Sequence, residues 1–275
     1  MATNLAALEQ ASRTDSGSRW YLRDLPKYAA GLIAIVFMYM CIRMYQGAFA
    51  LETGLDSTMP ISDIYWRRLL YIEIVLEVAL GIGLAWYLWA TRDRHLDRLS
   101  TQEEIRRYFA LMMWGGVYGL AVHWAGSYFG EQDNAWHQAA VRDTPFTPNH
   151  IVVFYLGFPL YSILGMATWL YARTRLPLYA NRISLPLTLA VVGPFMLLPS
   201  VGFNEWGHTF WFREELFASP VHYAFVISVC FALALGGTIL QMVMRMAELL
   251  DKLESDASNA ASYVGSLNLL NYKGN

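Results

Sequence analysis

The sequence predicts an all-α protein: a polytopic transmembrane helical bundle of about six spans, followed by a short C-terminal helical extension. Composition is the first observation behind this prediction. Of the 275 residues, 56% are hydrophobic and only 15% are charged, whereas about 25% are charged in a typical soluble domain. The second is the length of the apolar runs, since a helix needs about 20 mostly apolar residues to cross a bilayer. The net charge of −2 offers no basic surface, so no nucleic-acid partner is expected.

Six stretches are apolar and long enough to span a membrane. They cover 28–50, 69–90, 108–129, 151–171, 184–203 and 221–243. Residues 1–27 are polar, and the apolar run after them is too long for the core of a signal peptide, so we expect an interfacial segment here. Residues 28–245 then form the transmembrane domain. Residues 246–275 form a short helical extension, in which leucines recur among charged residues, and a polar tail rich in Ser, Asn and Gly.

Basic residues are distributed unequally between the two sides of this bundle. Fifteen of the 20 Lys and Arg lie before the first span, between spans two and three, between spans four and five, or after the last span. Four lie in the other three connections, and Arg43 lies within the first span. Because cytoplasmic loops carry the excess of Lys and Arg, we predict cytoplasmic N- and C-termini. The connections 51–68, 130–150 and 204–220 then face outward.

Four of the six histidines lie in two outward segments of similar design, 131–150 and 203–222. The two sets are Asp133, His137 and His150 in the first segment, and Asn204, His208 and His222 in the second. In each set an oxygen-bearing side chain precedes a histidine by four residues. On a helix this spacing places both side chains on one face, one turn apart, where they can bind the same ion.

The last histidine of each set follows the same short sequence motif. Thr147-Pro148-x-His150 and Ser219-Pro220-x-His222 both place a hydroxyl residue and a proline just before the histidine. Ser or Thr favours the N-cap of a helix and proline its first turn, so each histidine is predicted in the first turn of the following span. We therefore predict two metal sites, each built from the end of one span, a return loop and the start of the next. Two histidines and one oxygen ligand suit Fe(II), Cu or Zn, and the pattern alone leaves these open.

Glu73 and Glu77 lie four residues apart in the second predicted span. Two unpaired carboxylates within a membrane are costly, so they need an explanation. One hypothesis is a proton path or a metal site. The alternative, which we favour, is pairing with Arg43 of the first span or with a partner subunit.

Several stretches of this sequence resemble the C subunit of the copper membrane monooxygenases, the family of particulate methane, ammonia and short-chain hydrocarbon monooxygenases. The matching stretches are GLDS (54–57), YIEIVLE (71–77), YLWATRDR (87–94), EQDNAWHQAAVRDTPFTPNH (131–150), TRLPLYA (174–180) and VGFNEWGHTFWFREELF (201–217). They cover most of residues 47–225, and the two long motifs are the most specific.

The resemblance implies copper at the Asp133, His137 and His150 site, which we assign as catalytic, and a second metal site at Asn204, His208 and His222. It also implies assembly with A and B subunits, as a trimer of heterotrimers, in a bacterial inner or intracytoplasmic membrane. The expected reaction uses O2 and an electron donor, a quinol or another reductant, to hydroxylate a small inert substrate. Gly130, Ser200 and Phe203 depart from the pattern of many methane-oxidising members, which favours another short-chain hydrocarbon over methane.

Two other functions compete with this interpretation. Paired polar sites in a helical bundle also suit a copper transporter, although the ligands cluster near the outer ends of spans and do not cross the membrane. The metals can also serve only to fasten loops in a structural subunit. A transporter is expected to move copper as a lone chain, whereas an oxygenase subunit is expected to be inert without partners.

Overall fold

The computed structural model describes residues 24–142, 144–196 and 219–272, with the side chains of 127–135, 137–138, 196, 219–228, 260–261 and 263–272 excepted. Within these ranges the chain is helical apart from its connections, so the predicted all-α fold is confirmed. Residues 1–23, most of the predicted interfacial segment, lie outside the described residues.

Seven helices make up the described part of the chain. They are α1 (Leu25–Thr53), α2 (Pro60–Ala90), α3 (Thr101–Ala139), α4 (Pro148–Arg175), α5 (Pro177–Ala180), α6 (Leu185–Val192) and α7 (Ser219–Tyr272). A wider π-helical stretch interrupts α2 at Asp63–Arg67 and α4 at Ile151–Gly157. These two stretches lie near the start of their helices, at the same end of the bundle.

Four helices in the described ranges are long and apolar enough to cross a membrane: α1, α2, α4 and the Val229–Asn259 part of α7. The predicted third span, 108–129, lies inside α3. The predicted fifth span, 184–203, begins with α6 and a 3₁₀ turn at Gly193–Met196, and the rest of it lies outside the described residues. The membrane-helix bundle is therefore observed, and the count of six spans stays a prediction.

The C-terminal extension differs from its prediction in length. Helix α7 continues from its apolar part without a break to Tyr272, so residues expected to form a polar tail are helical. Isolated Ser, Asn and Gly residues weaken a helix by about 1 kcal/mol or less each. Continuity with a long apolar helix that is already formed removes the cost of nucleation, which is the larger obstacle.

Helix α3 lies at the centre of the bundle and contacts α1, α4 and α7. One buried cluster joins α1, α2, α3 and α4 around the fully buried rings of Tyr39, Trp66 and Tyr161. A second cluster joins α3, α4, α5, α6 and α7 around Tyr108, Tyr179 and Met242. Both cysteines, Cys41 and Cys230, are free thiols, and both are exposed.

The basic segments that were predicted to share one side of the membrane do lie at one end of the bundle. Ion pairs connect three of these four segments, and we call this end the basic end. The pairs are Asp24–Lys27 and Asp24–Arg106 at 2.7 Å, Asp93–Arg107 at 2.8 Å and Glu104–Arg245 at 3.1 Å. The start of α1, the end of α2, the start of α3 and the middle of α7 therefore meet there.

Which compartment the basic end faces stays a prediction, and the basic asymmetry makes it testable. We expect a periplasmic reporter fused after Asn275 to be inactive and a cytoplasmic reporter at the same position to be active. The opposite pair of results would invert the topology.

Candidate metal centre

The first predicted ligand pair lies on the last turns of α3. Asp133 and His137 both belong to this helix, which ends at Ala139, so their four-residue spacing places them one turn apart on one face. The orientation of these two side chains lies outside the described part of the structure.

His150 lies where the proline motif predicts it, in the first turn of α4. Thr147 occupies the N-cap with extended backbone, and Pro148 follows as the first helical residue. The Thr147 hydroxyl does not cap the helix; it donates to the carbonyl oxygen of Thr144 at 3.2 Å. The His150 side chain is buried, with 3% of its surface exposed.

The ring of His150 is held by contacts on its edge and its face. Its Nδ1 lies 2.6 Å from the carbonyl oxygen of Thr144. A carbonyl oxygen only accepts, so Nδ1 carries a proton, and in the neutral ring the lone pair lies on Nε2. The ring also stacks on Phe154, with 4.9 Å between centroids and 15° between planes. An Nδ1–H bonded to a carbonyl is the usual support of a histidine that binds a metal through Nε2.

The return loop before His150 is fastened to the segment Gly54–Ser57, which follows α1. The backbone N–H groups of Val141 and Arg142 donate to the carbonyl oxygen of Leu55 at 2.8 and 3.2 Å. The hydroxyl groups of Ser57 and Thr144 lie 2.6 Å apart. These bonds fix the loop that carries the Thr144 carbonyl, and through it the ring of His150.

Gly54 makes the closest contact between these two segments. A Cβ atom at this position would lie 2.1 Å from Cγ of Pro148 and 2.8 Å from the carbonyl oxygen of Ala50. Only glycine allows α1 to end this close to the start of α4. Residues 54–57 belong to one of the stretches that resemble the family, and the sequence predicted no role for them. In the structure they contact the return loop before His150 and hold it in place.

Two further features mark the start of α4. Asn149 is buried, with 1% of its surface exposed, and neither atom of its side-chain amide has a hydrogen-bond partner among the described residues. The π-helical stretch Ile151–Gly157 begins directly after His150. Such π-bulges occur frequently at functional sites, and an unsatisfied buried amide calls for a ligand, a water molecule or a partner chain.

The second set is described only at its end. Helix α7 is described from Ser219 onward and contains His222, without a description of its side chain, so the place of His222 in the first turn stays a prediction. Asn204 and His208 lie outside the described residues.

Among the described side chains, no three His, Cys, Asp or Glu residues come together to hold a metal ion. Only His150 of the six predicted ligands has a described side chain, so both sites stay predictions. His150 itself fits a metal ligand, because its tautomer is fixed and its ring is buried and immobilised.

The comparison with known families bears on nearly the whole chain. The family model for the C subunit of ammonia monooxygenase and methane monooxygenase matches residues 7–253. The chain belongs to this C-subunit family. It is therefore a membrane subunit of the ammonia/methane monooxygenase family. No curated protein matches the sequence.

This member of the C-subunit family also buries the carboxylates of Glu73 and Glu77 on α2, with 4% and 7% of their surfaces exposed. Neither oxygen of Glu73 has a hydrogen-bond partner among the described residues, nor does Oε1 of Glu77. Glu73 therefore makes no hydrogen bond to Arg43. Pairing of Glu77 with Arg43, a partner subunit, a proton path and a metal site all stay hypotheses for these two groups.

We expect Glu73→Gln to lower the thermal stability of the assembled complex. On the partner hypothesis, a neighbouring subunit supplies the hydrogen bonds that the described part of this chain does not, and a bond to a charged group contributes about 1.5–3 kcal/mol. Differential scanning calorimetry of the complex measures the effect, with Glu52→Gln on α1 as the control because Glu52 is exposed. An unchanged transition temperature with reduced turnover would favour the proton path.

Proposed function

We propose that this chain is the C subunit of a copper-dependent membrane monooxygenase that hydroxylates a small inert substrate with O2. Its partners are the A and B subunits, in a trimer of heterotrimers. Asp133, His137 and His150 hold copper at the catalytic site, and Asn204, His208 and His222 form the second metal site. A short-chain hydrocarbon is the favoured substrate, with methane and ammonia as the other members of the class.

The observation that carries this proposal is the setting of His150. A buried imidazole with Nδ1–H donated to the Thr144 carbonyl presents Nε2 as a ligand atom. Asp133 and His137 supply one carboxylate and one imidazole from adjacent turns of α3. Two imidazoles and a carboxylate suit copper and leave coordination positions open. When bound, copper supplies the redox centre at which O2 is reduced.

The chain's own residues orient this ligand and keep its surroundings dry. The Thr144 carbonyl retains the proton on Nδ1, so the ring cannot flip without losing a hydrogen bond. Phe154 covers one face of the ring, and Phe158 packs behind Phe154 at 5.8 Å. Exclusion of water protects a reactive site from side reactions and strengthens the interactions within it.

The apolar surface of α2 supports a place in a larger assembly. Val75, Ile82 and Trp86 are each about two-thirds exposed or more, at 66%, 67% and 72%. In the membrane, lipid covers part of this apolar face, and neighbouring subunits pack against the remaining part. The buried carboxylates of Glu73 and Glu77 lie on the same helix.

The proposal is tested by comparing the chain alone with the complete complex. We expect the purified chain in liposomes to show no oxygenase turnover and no copper uptake, and membranes with all three subunits to oxidise the substrate. Copper transport by the lone chain would favour the transporter instead. Full turnover by the lone chain would contradict the dependence on partners.

A further inference from the structure

A cavity of about 350 Å³ lies at the basic end of the bundle, well away from His150. Its lining includes Leu164 and Arg175 of α4. Leu164 follows His150 by 14 residues, which is about 21 Å along a helix. The cavity is therefore separate from the candidate metal centre.

The walls of this cavity are apolar at one end and cationic at the other. Leu84 and Leu88 of α2, Trp114 and Val117 of α3, and Leu164 of α4 provide the apolar part. The cationic part is formed by Lys27, Arg106, Arg107 and Arg175, together with one carboxylate, Asp24. An occupant that matches both parts is an amphiphile with an anionic head.

Three of the four cations are neutralised by carboxylates. Lys27 and Arg106 share Asp24 at 2.7 Å each, and Arg107 pairs with Asp93 at 2.8 Å. Glu103 adds a second carboxylate to both Arg106 and Arg107, at 2.6 and 3.1 Å. The hydrogen bond from Lys27 holds the pKa of Asp24 below its ordinary value, and the backbone N–H of His95 does the same for the pKa of Asp93. Both carboxylates are therefore ionised at neutral pH.

Arg175 is different, because among the described residues its guanidinium donates only to neutral groups. Nη2 donates to Oγ1 of Thr91 at 2.6 Å and Nη1 to Oγ1 of Thr174 at 2.7 Å. Two longer bonds reach carbonyl oxygens at the end of α2, and the ring of Tyr171 lies 5.1 Å away. These contacts satisfy hydrogen-bond donors of Arg175 but do not neutralise its positive charge. Within the described ranges, Arg175 is therefore the cation of this cavity that has no carboxylate bonded to it.

We propose that this cavity binds an anionic phospholipid, with the phosphate at Arg175 and an acyl chain along Leu84, Leu88, Val117 and Leu164. Arginine suits a phosphate because its guanidinium stays charged and carries five donors, of which the neutral contacts named above use four. The apolar walls select a lipid over free phosphate. Basic pockets between transmembrane helices on the cytoplasmic side are a recurrent form of lipid headgroup site.

The test uses the intact complex after removal of lipid, with native mass spectrometry to measure binding of dioleoyl phosphatidylglycerol. Dioleoyl phosphatidylcholine and inorganic phosphate are the comparison probes. We expect phosphatidylglycerol to bind about tenfold more tightly than phosphatidylcholine, and Arg175→Gln to abolish this preference. Arg98→Gln is the matched control, because Arg98 lies at the same end, does not line the cavity and has a side chain that is 78% exposed.

Arg175 also binds carbonyl oxygens at the end of α2, so Arg175→Gln can impair assembly. Ala167→Phe keeps the charge and fills the apolar part of the cavity, since Ala167 lines it. We expect this variant to assemble and to lose phosphatidylglycerol binding. Equal binding of the two lipids, or retention of the preference in both variants, would overturn the proposal. Displacement of phosphatidylglycerol by millimolar inorganic phosphate would also overturn it, because the site would then be an anion site that needs no lipid.

Discussion

His150→Ala is expected to empty the first metal site and to abolish substrate oxidation, while the bundle still inserts into the membrane. On the proposed assignment, the substitution removes one of two imidazole ligands and leaves the ion with Asp133 and His137 alone, on one helix. The ring that is lost is buried and held in place by Thr144 and Phe154. The measurements are copper per complex and oxygenase rate in membranes that contain all three subunits.

His137→Ala is expected to give the same loss, because it removes the other imidazole. Asp133→Asn makes the first set resemble Asn204, His208 and His222, and should weaken copper binding less than loss of either imidazole. The control is His95→Ala, which removes an exposed histidine near the basic end. Full copper content and full activity in both His137→Ala and His150→Ala would show that the first site is assigned to the wrong residues.

Gly54→Ala is expected to lower both copper content and turnover by about tenfold or more, although Gly54 is not a ligand. The added Cβ would overlap Pro148, and its other close neighbour is a backbone oxygen that cannot swing away. The start of α4 must move outward, and His150 moves with it. Overpacking of this kind costs about 1–3 kcal/mol, so the thermal transition of the complex should fall as well.

Gly47→Ala is the matched control, because it makes the same change on the same helix. A Cβ at Gly47 meets nothing within 4 Å, and alanine favours a helix over glycine by about 1 kcal/mol. This variant should keep full copper and be slightly more stable. If Gly54→Ala behaved like Gly47→Ala, the contact between the end of α1 and the start of α4 would have no part in holding the site.

Features that depend on residues close together in the chain were predictable from the sequence alone. The long apolar runs predicted membrane helices, and Thr147-Pro148 predicted the helix start that places His150 in the first turn of α4. The four-residue spacing of Asp133 and His137 predicted one helix face, and both residues do lie on α3. Helix caps, prolines and helical periodicity act within a few residues, so a short segment of sequence is enough to predict them.

The segments that support the site lie far apart in the chain, and the packing of the helices brings them together. Ser57 and Thr144 are 87 residues apart in the chain and join through their hydroxyl groups. Gly54 gained its role from contact with Pro148, and no local pattern at a helix end indicates that contact. Arg175 likewise differs from its neighbouring cations because the nearby carboxylates Asp24 and Asp93 pair with Arg106 and Arg107. The sequence does not indicate this choice of partners. Pairings between segments depend on how helices pack together, and that arrangement is fixed by the whole bundle rather than by any short stretch of sequence.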